Sequence, residues 1–345
     1  VNRQPGASTS PWLNGLTRPE LTEHFKRAGL TAQQAWLTFQ SLHRHGVLDP
    51  EKMQGISKVC RKFMERAPQT AELSIDEVLR AQDGTLKLRV KTFGGEAVEA
   101  VIIPNARRVT LCVSSQAGCA AGCTFCHTGT MGLLRNLDAW EIVEQVRLAR
   151  AYAPTPITNL VFMGMGEPLH NEESVLRACR ILNDDVGAGF SRRHIVVSTA
   201  GVGNRLRPLW ESNAAALAIS LHATTDEVRS RIVPLNRQWN LAALKDILLG
   251  IPWKKRESLT VAYLLLDGIN DTREDARRLR EWCAGLPAKV NLLEFNPFPG
   301  STFRRTSTEN LAAFRNWLHE ERLFNTHRHS RGDDVMAACG QLATS

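Results

Sequence analysis

After Arg107 the chain carries six successive runs rich in branched apolar residues: RRVTLCVSS, TNLVFMG, HIVVSTA, ALAISLHA, LTVAYLLLDG and KVNLLEFNP. Each is followed by polar or glycine-containing residues and then by a helix-like stretch. NLDAWEIVEQVRLARAY is one such stretch. Asp138 and Glu141 can cap it, and Ile142, Val143, Val146 and Ala149 share one face. Strands that read as continuous apolar runs are buried on both faces, and repeated strand–helix units place them in a parallel sheet with helical crossovers. The pattern therefore predicts an α/β fold, a partial (β/α)6 TIM-like barrel, with an open doubly wound sheet as the alternative. Either arrangement puts functional groups at the carboxyl ends of the strands. The residues that look unusual all fall there: a cysteine cluster after the first run, GMGEP after the second, Ser198 ending the third, SLH ending the fourth and NPFPG after the sixth.

The residues before this alternation have a different pattern. Residues 1–85 read as a small helical accessory domain. TRPELTEHFKRAG has Thr17 and Glu20 as a capping box and Gly29 as a stop, and TAQQAWLTFQSLHRHG repeats this with Thr31, Gln34 and Gly46. A third helix is expected in MQGISKVCRKFMERA. Residues 86–104 read as a β-hairpin linker turning at Gly94 and Gly95, and residues 105–345 as the main α/β unit. With 345 residues, 43% of them hydrophobic, there is material for one large core. No apolar run reaches the length of a membrane span. The opening VNRQPGASTSPWLNG has no apolar signal core, so the expected location is the cytoplasm.

Eight cysteines are too few for a disulfide-stapled chain of this size. Cys60, Cys179 and Cys283 lie in helix-like patterns and read as inert buried thiols. Cys119, Cys123 and Cys126 have the spacing C-x3-C-x2-C. A structural zinc ion takes four protein ligands, and the neighbouring His127 cannot easily share one tetrahedral ion with Cys126; a distant fourth ligand would keep zinc open. A four-iron cluster wants one thiolate per iron, so three cysteines leave one iron free, and a free position on a catalytic metal is where a substrate or cofactor binds. Gly164 and Gly166 let backbone approach a ligand closely, although GMGEP taken alone reads as a tight turn.

The C-x3-C-x2-C spacing at the end of the first barrel strand, with GMGEP after the second, resembles the radical S-adenosylmethionine (SAM) superfamily. That resemblance implies one [4Fe-4S] cluster on Cys119, Cys123 and Cys126, with SAM bound at the open iron and split to a 5′-deoxyadenosyl radical. RRVTLCVSSQAGCAAGCTFCHTG, MGMGEPLHN, AISLHATTDEVRSRIVPLN, NPFPGS and RGDDVMAACGQL together resemble the RlmN/Cfr family of RNA methyltransferases, over roughly residues 95–342. The family implies two SAM molecules per turnover. Cys339 takes a methyl group from the first. The radical from the second activates that methyl, which bonds to an adenine carbon. Glu99 matches the proton acceptor, and Cys112 matches the thiol that resolves the protein–RNA adduct by forming a disulfide. The family's SAM contacts fall on Gly166, Glu167, Ser198, Ser220, Leu221, His222 and Asn296. Outside this context Cys112 reads as a small buried hydrophobe, Cys339 as a packing residue, Glu99 as a solvated charge and His222 as a core histidine.

The resemblance implies an RNA substrate, 23S ribosomal RNA with tRNA as a second, and an electron donor such as flavodoxin. The RlmN type, methylating carbon 2 of adenosine, is favoured as the commoner activity. The alternatives are Cfr-type methylation at carbon 8 and a zinc-containing RNA-binding protein without catalysis. A monomer is expected. A charge of +8, from 43 basic against 35 acidic residues, suits a polyanionic partner. Candidate phosphate contacts are Arg192 to His194, Lys254 to Arg256, the arginine-rich stretch from Arg304 to Arg331, and Lys58, Arg61, Lys62 and Arg66 in the helical unit. The helical unit resembles the family's accessory domain only loosely. His127 departs from the small residue common at that place and could tune the cluster.

Overall fold

The computed structural model describes residues 12–66 and 72–344. Most of the opening segment, used above for location, lies outside the described residues. Among the described residues there are twelve strands: β1 (Ser74–Arg80), β2 (Leu86–Lys91), β3 (Ala97–Asn105), β4 (Arg108–Cys112), β5 (Gln116–Gly118), β6 (Leu133–Asn136), β7 (Asn159–Phe162), β8 (Ile195–Thr199), β9 (Ala216–Ser220), β10 (Leu259–Leu265), β11 (Ala288–Glu294) and β12 (Asn325–Arg328). Ten of them form one sheet in the order β1-β2-β3-β4-β7-β8-β9-β10-β11-β12, and β5 pairs with β6 in a separate ribbon. The neighbours from β4 through β12 run parallel. The first four strands are antiparallel. The sheet has two free edges, β1 and β12, so the barrel is partial.

All six apolar runs are strands of this parallel sheet, in the expected sequence order. Their centres are fully buried: Leu111, Leu160, Val197, Ile219, Tyr263 and Leu292 expose nothing to solvent. Helices fill the crossovers. Ala139–Arg150 begins at the capping box of Asp138 and Glu141, with the Glu141 carboxylate accepting from Asp138 N–H at 2.9 Å. Arg135 on β6 donates two further bonds to that carboxylate, each 2.7 Å, and one to Glu96 beside the β2–β3 turn at 2.9 Å. The bidentate guanidinium thereby ties the β5–β6 ribbon to both neighbours.

The expected N-terminal helices are Arg18–Arg27, Ala32–His43 and Lys58–Glu65. Thr17 and Glu20 form the capping box, and the Thr31 hydroxyl accepts from Gln34 N–H. These helices share the barrel's apolar core. Phe25 and Phe39 are fully buried, and each such ring contributes about 2–3 kcal/mol of transfer free energy. Arg18 donates to Asp184 at 2.9 Å, and Arg150 donates to the His43 carbonyl at 2.8 Å. β1 is the difference from the sequence reading. It lies within residues 1–85 and joins the large sheet through β2, so the sheet starts inside the range assigned to helices. The hairpin of β2 and β3 is likewise continuous with the barrel sheet. Among the described residues no helix is long and apolar enough to cross a membrane.

Candidate active site

Two recesses meet at the carboxyl rim of the parallel strands. The larger encloses about 980 Å³ of space open to solvent and is lined by Cys119, Cys123, Cys126, Gly166, Glu167, Ser198, Ser220, His222 and Cys339, among others. The smaller is lined by Cys112, Met163, Asn296, Arg328, Cys339 and their neighbours. Cys339 belongs to both walls.

The cysteine loop is carried between β5 and β6. Cys119 N–H donates to Gly132 O at 2.7 Å, closing the ribbon behind the first thiol. Cys126 precedes the short helix His127–Thr130. Burial pushes the Cys119 thiol up to about 12, and raises Cys123 and Cys126 as well; neighbouring thiols and Glu167 add to the rise at Cys119 and Cys123. Such thiols ionise readily only beside a cation, and metal coordination provides one. The three thiols line one cavity, a donor set that suits a polynuclear cluster, whose thiolates sit on different irons.

The GMGEP turn lies against the start of β5. Met165 O accepts from Ser115 N–H at 2.9 Å and Gln116 N–H at 3.2 Å, and Gln116 Oε1 accepts from Glu167 N–H at 2.8 Å. A Cβ on Gly164 would stand 2.7 Å from Val113 O. Gly166 has φ +104°, and a Cβ there would stand 2.7 Å from Gln116 Cβ. Glycine is required at both places. The Glu167 carboxylate is buried and accepts from Leu169 N–H at 2.9 Å and Ala200 N–H at 2.7 Å. Burial raises its pKa against the pull of those bonds.

Ser198 and Ser220 end adjacent strands, with their Oγ atoms 3.1 Å apart. His222 is held at φ +59°, a conformation that costs energy for a residue with a Cβ. Its Nδ1 accepts from Leu264 N–H at 3.0 Å. Burial, helped by the Arg229 charge, lowers its pKa to about 3. The ring is therefore neutral with its proton on Nε2, a hydrogen-bond donor in a cavity-lining side chain. Leu221 is fully buried and does not line the cavity; its N–H donates to Ala262 O at 3.0 Å.

The segment Ala337–Thr344 roofs the smaller recess. Asn296 Nδ2 donates to Cys339 O at 3.1 Å, and Gln341 Nε2 donates to Pro297 O at 2.8 Å. His127 N–H donates to Gly340 O at 2.7 Å, and Ala343 N–H donates to Glu99 Oε2 at 3.0 Å. The tail thus fastens to the cysteine loop, to NPFPG and to β3. Asn296 is placed with the tail and with Arg305, not on the wall of the larger cavity. Cys112 is buried, and burial with the nearby Cys339 pushes its thiol up to about 12 against the pull of Arg328. Glu99 lines neither recess. Its pairing register puts it on the same face as Cys112, but its carboxylate is buried beneath the tail, with Lys87 Nζ 3.0 Å from Oε1. Burial raises its pKa, and Lys87 opposes the rise.

The His127 ring stacks on Phe298 at 5.0 Å, and its buried Nδ1 has no hydrogen-bond partner. Several basic residues offered to RNA are already paired: Arg192 with Glu257, Arg61 with Glu51, Arg304 with Asp267 and Arg305 with Asp333. Lys58, Lys62, Arg66, Lys255 and Arg256 are exposed.

Sequence reasoning missed Arg229. It is fully buried, and its guanidinium donates to Leu221 O at 3.0 Å, Asn236 Oδ1 at 3.0 Å, Ala200 O at 2.6 Å and Ser220 O at 3.3 Å. It holds the ends of β8 and β9 together under the cavity. Nothing in a single sequence separates it from the solvated arginines of the same helix. Arg328, which lines both recesses and donates to Met163 Sδ at 3.4 Å, was also not singled out.

Comparison with known proteins agrees with this geometry. The family model for the radical SAM superfamily matches residues 113–281. The dual-specificity RNA methyltransferase RlmN of Dinoroseobacter shibae is 42% identical, covering 96% of this chain and 89% of its own length. The RlmN protein of Halorhodospira halophila is 44% identical, covering 96% and 92%. A radical SAM methyltransferase structure from Sphaerobacter thermophilus superposes with a TM-score of 0.89 at 37% identity, covering 96% of this chain and 98% of that one.

Proposed function

The chain belongs to the RlmN family of radical SAM RNA methyltransferases, and from that premise we propose that it methylates carbon 2 of an adenosine in 23S ribosomal RNA, with tRNA as a second substrate. The observation that supports the transfer chemistry in this reading is the position of Cys339, on the wall of both the three-cysteine cavity and the recess that contains Cys112. A methyl group on its sulfur can face the cofactor on one side and the resolving thiol on the other.

Cys119, Cys123 and Cys126 would hold a [4Fe-4S] cluster, which with SAM would supply the 5′-deoxyadenosyl radical. The protein's own groups do the rest. Carbonyls and the Glu167 carboxylate at the GMGEP turn receive the SAM ammonium. The Ser198 and Ser220 hydroxyls and the His222 Nε2–H orient its ribose and carboxylate. Leu221 contributes through the backbone of the β9 end. Asn296 positions the tail through its bond to Cys339 O.

Cys339 Sγ accepts a methyl group from one SAM by displacement. The 5′-deoxyadenosyl radical would take a hydrogen atom from that methyl group, the methylene radical left on sulfur bonds to the adenine carbon, and the unpaired electron of the adduct would return to the cluster. Glu99 takes the ring proton, the Cys112 thiolate attacks Cys339 Sγ, and the methylene carbon takes up a proton to become the methyl group on RNA. The carbon–sulfur bond breaks as a Cys112–Cys339 disulfide forms. For Glu99 to act, its carboxylate must be released from Ala343 N–H and Lys87 Nζ. A flavodoxin-type donor supplies the cluster's electron, external thiols reduce the disulfide, and the protein works as a monomer in the cytoplasm.

Nucleoside mass spectrometry of ribosomal RNA and tRNA from a deletion strain tests the proposal. Loss of 2-methyladenosine from both is expected. Loss of 8-methyladenosine would move the assignment to carbon 8, and unchanged methyladenosine in both RNAs would overturn it.

A further inference from the structure

The edge of the sheet farthest from the hairpin carries a second group of metal-binding side chains. β12 runs parallel to β11, with Leu292 opposite His327 and Leu293 opposite Arg328. The same register sets Glu294 beside His329. Alternation along a strand puts His327 and His329 on one face and Arg328 on the other, and it brings Glu294 to the histidine face. The ligand atoms of Glu294, His327 and His329 all lie within 4.8 Å of one another, and no other such set occurs among the described residues.

His327 Nε2 stands 3.6 Å from Glu294 Oε1, beyond hydrogen-bond length. The His327 side chain is only 7% exposed, and its Nε2 has no hydrogen-bond partner. A buried nitrogen facing a carboxylate without a bond to it is a costly arrangement. The two imidazole rings lie 4.2 Å apart, edge to face. Bonds of about 2.0 Å from one ion to nitrogen and oxygen put neighbouring ligand atoms about 3.3 Å apart, close to the His327–Glu294 separation. Burial lowers the His327 pKa, with Arg315 and His329 pulling the same way and Glu294 opposing. A neutral imidazole is the form that binds metal.

We propose that Glu294, His327 and His329 form a binding site for one divalent cation of the zinc type, separate from the three-cysteine cluster. Two imidazoles and a carboxylate suit a borderline ion, with water completing the tetrahedron. The ion fastens the edge strand β12 to β11 and fixes the backbone on both sides of Arg328, which reaches into both recesses.

The test uses the full chain with its cluster loaded anaerobically and Zn²⁺ as the probe, in competition with a fluorescent chelator. The expected result is uptake of about one zinc per chain, with iron and sulfide unchanged. Affinity is expected to fall roughly tenfold or more in His327→Ala, His329→Ala and Glu294→Gln. The thermal midpoint of the wild type is expected to rise with zinc, and that of His329→Ala not to. His329 is exposed, so its variant keeps the test valid even where His327→Ala fails to fold. No zinc uptake, or uptake equal in wild type and variants, would overturn the proposal.

Discussion

The two recesses at the barrel rim are neighbours built by different means. The larger is made from strand ends and tight turns. The ends of β7, β8 and β9 fix Glu167, Ser198 and Ser220, the buried Arg229 joins the carbonyls beneath them, and Gly164 and Gly166 leave no room for a side chain. The smaller is roofed by Ala337–Thr344, a segment outside the sheet that is held by hydrogen bonds to Asn296, Pro297, His127, Thr128, Glu99 and Ala97 and by the packing of Ala337 and Leu342. Each such bond is worth only about 1 kcal/mol. The contrast separates two tasks. Holding a cofactor needs a fixed frame, whereas the proposed passage of a methyl carbon from Cys339 to an RNA base, followed by disulfide formation with Cys112, needs a part that can move.

Substitutions in the two recesses should therefore fail differently. Cys123→Ala removes a cluster thiol, and both bound iron and methylation are expected to vanish on anaerobic iron and sulfide analysis. Cys339→Ala is expected to abolish methylation just as fully, yet retain iron and still cleave SAM. Cys112→Ala, in the same recess, should accumulate a covalent protein–RNA species visible as a shifted band on a denaturing gel. Iron loss in the Cys339 variant would erase the distinction between the recesses. Glu99→Gln keeps the size of the side chain but cannot accept the ring proton, and a roughly hundredfold drop in turnover with full iron content is expected.

Gly166→Ala sharpens the contrast from the other side. The new methyl group at φ +104° would meet Gln116 Cβ at 2.7 Å. Strain of about 1–3 kcal/mol is expected, read as weaker SAM binding with RNA affinity unchanged. The smallest effect concerns acid. The His222 pKa is lowered from 6.5 to about 3. In the unfolded chain this ring takes a proton below about pH 6.5, whereas in the folded cavity it does not until about pH 3. Its contribution to stability is thus present above 6.5 and lost as pH falls toward 3, by about 1.4 kcal/mol per pH unit. His43, also lowered to about 3 by burial in the helical unit, adds the same slope. Denaturant midpoints measured across this window should fall less steeply in His222→Asn and in His43→Leu.

The parallel strands were legible because burial on both faces leaves a run of branched apolar residues that survives any reading frame. β1 and β12 were not, and both are outer edges. SIDEVLR is mostly exposed, and NTHR is short and polar, so neither carries a two-residue alternation. The pair β5–β6 escaped for the same reason of length. At the site, the cysteines and the glycine turn were readable because their spacing along the chain is itself the geometry. Asn296 and Glu99 could be named, but the tail that engages them arrives from more than forty residues away in one case and more than two hundred in the other. Arg229 and the Glu294–His327–His329 group depend on contacts between separate elements, which one sequence does not display.

The most direct test of this division is the covalent state of Cys339. Peptide mass spectrometry of protein incubated with SAM, cluster loaded and no RNA present, should find a methyl group on Cys339 and on no other cysteine, and should lose it after one round with RNA substrate. An active preparation with unmodified Cys339, or with its methyl group on a residue outside the tail, would contradict the account.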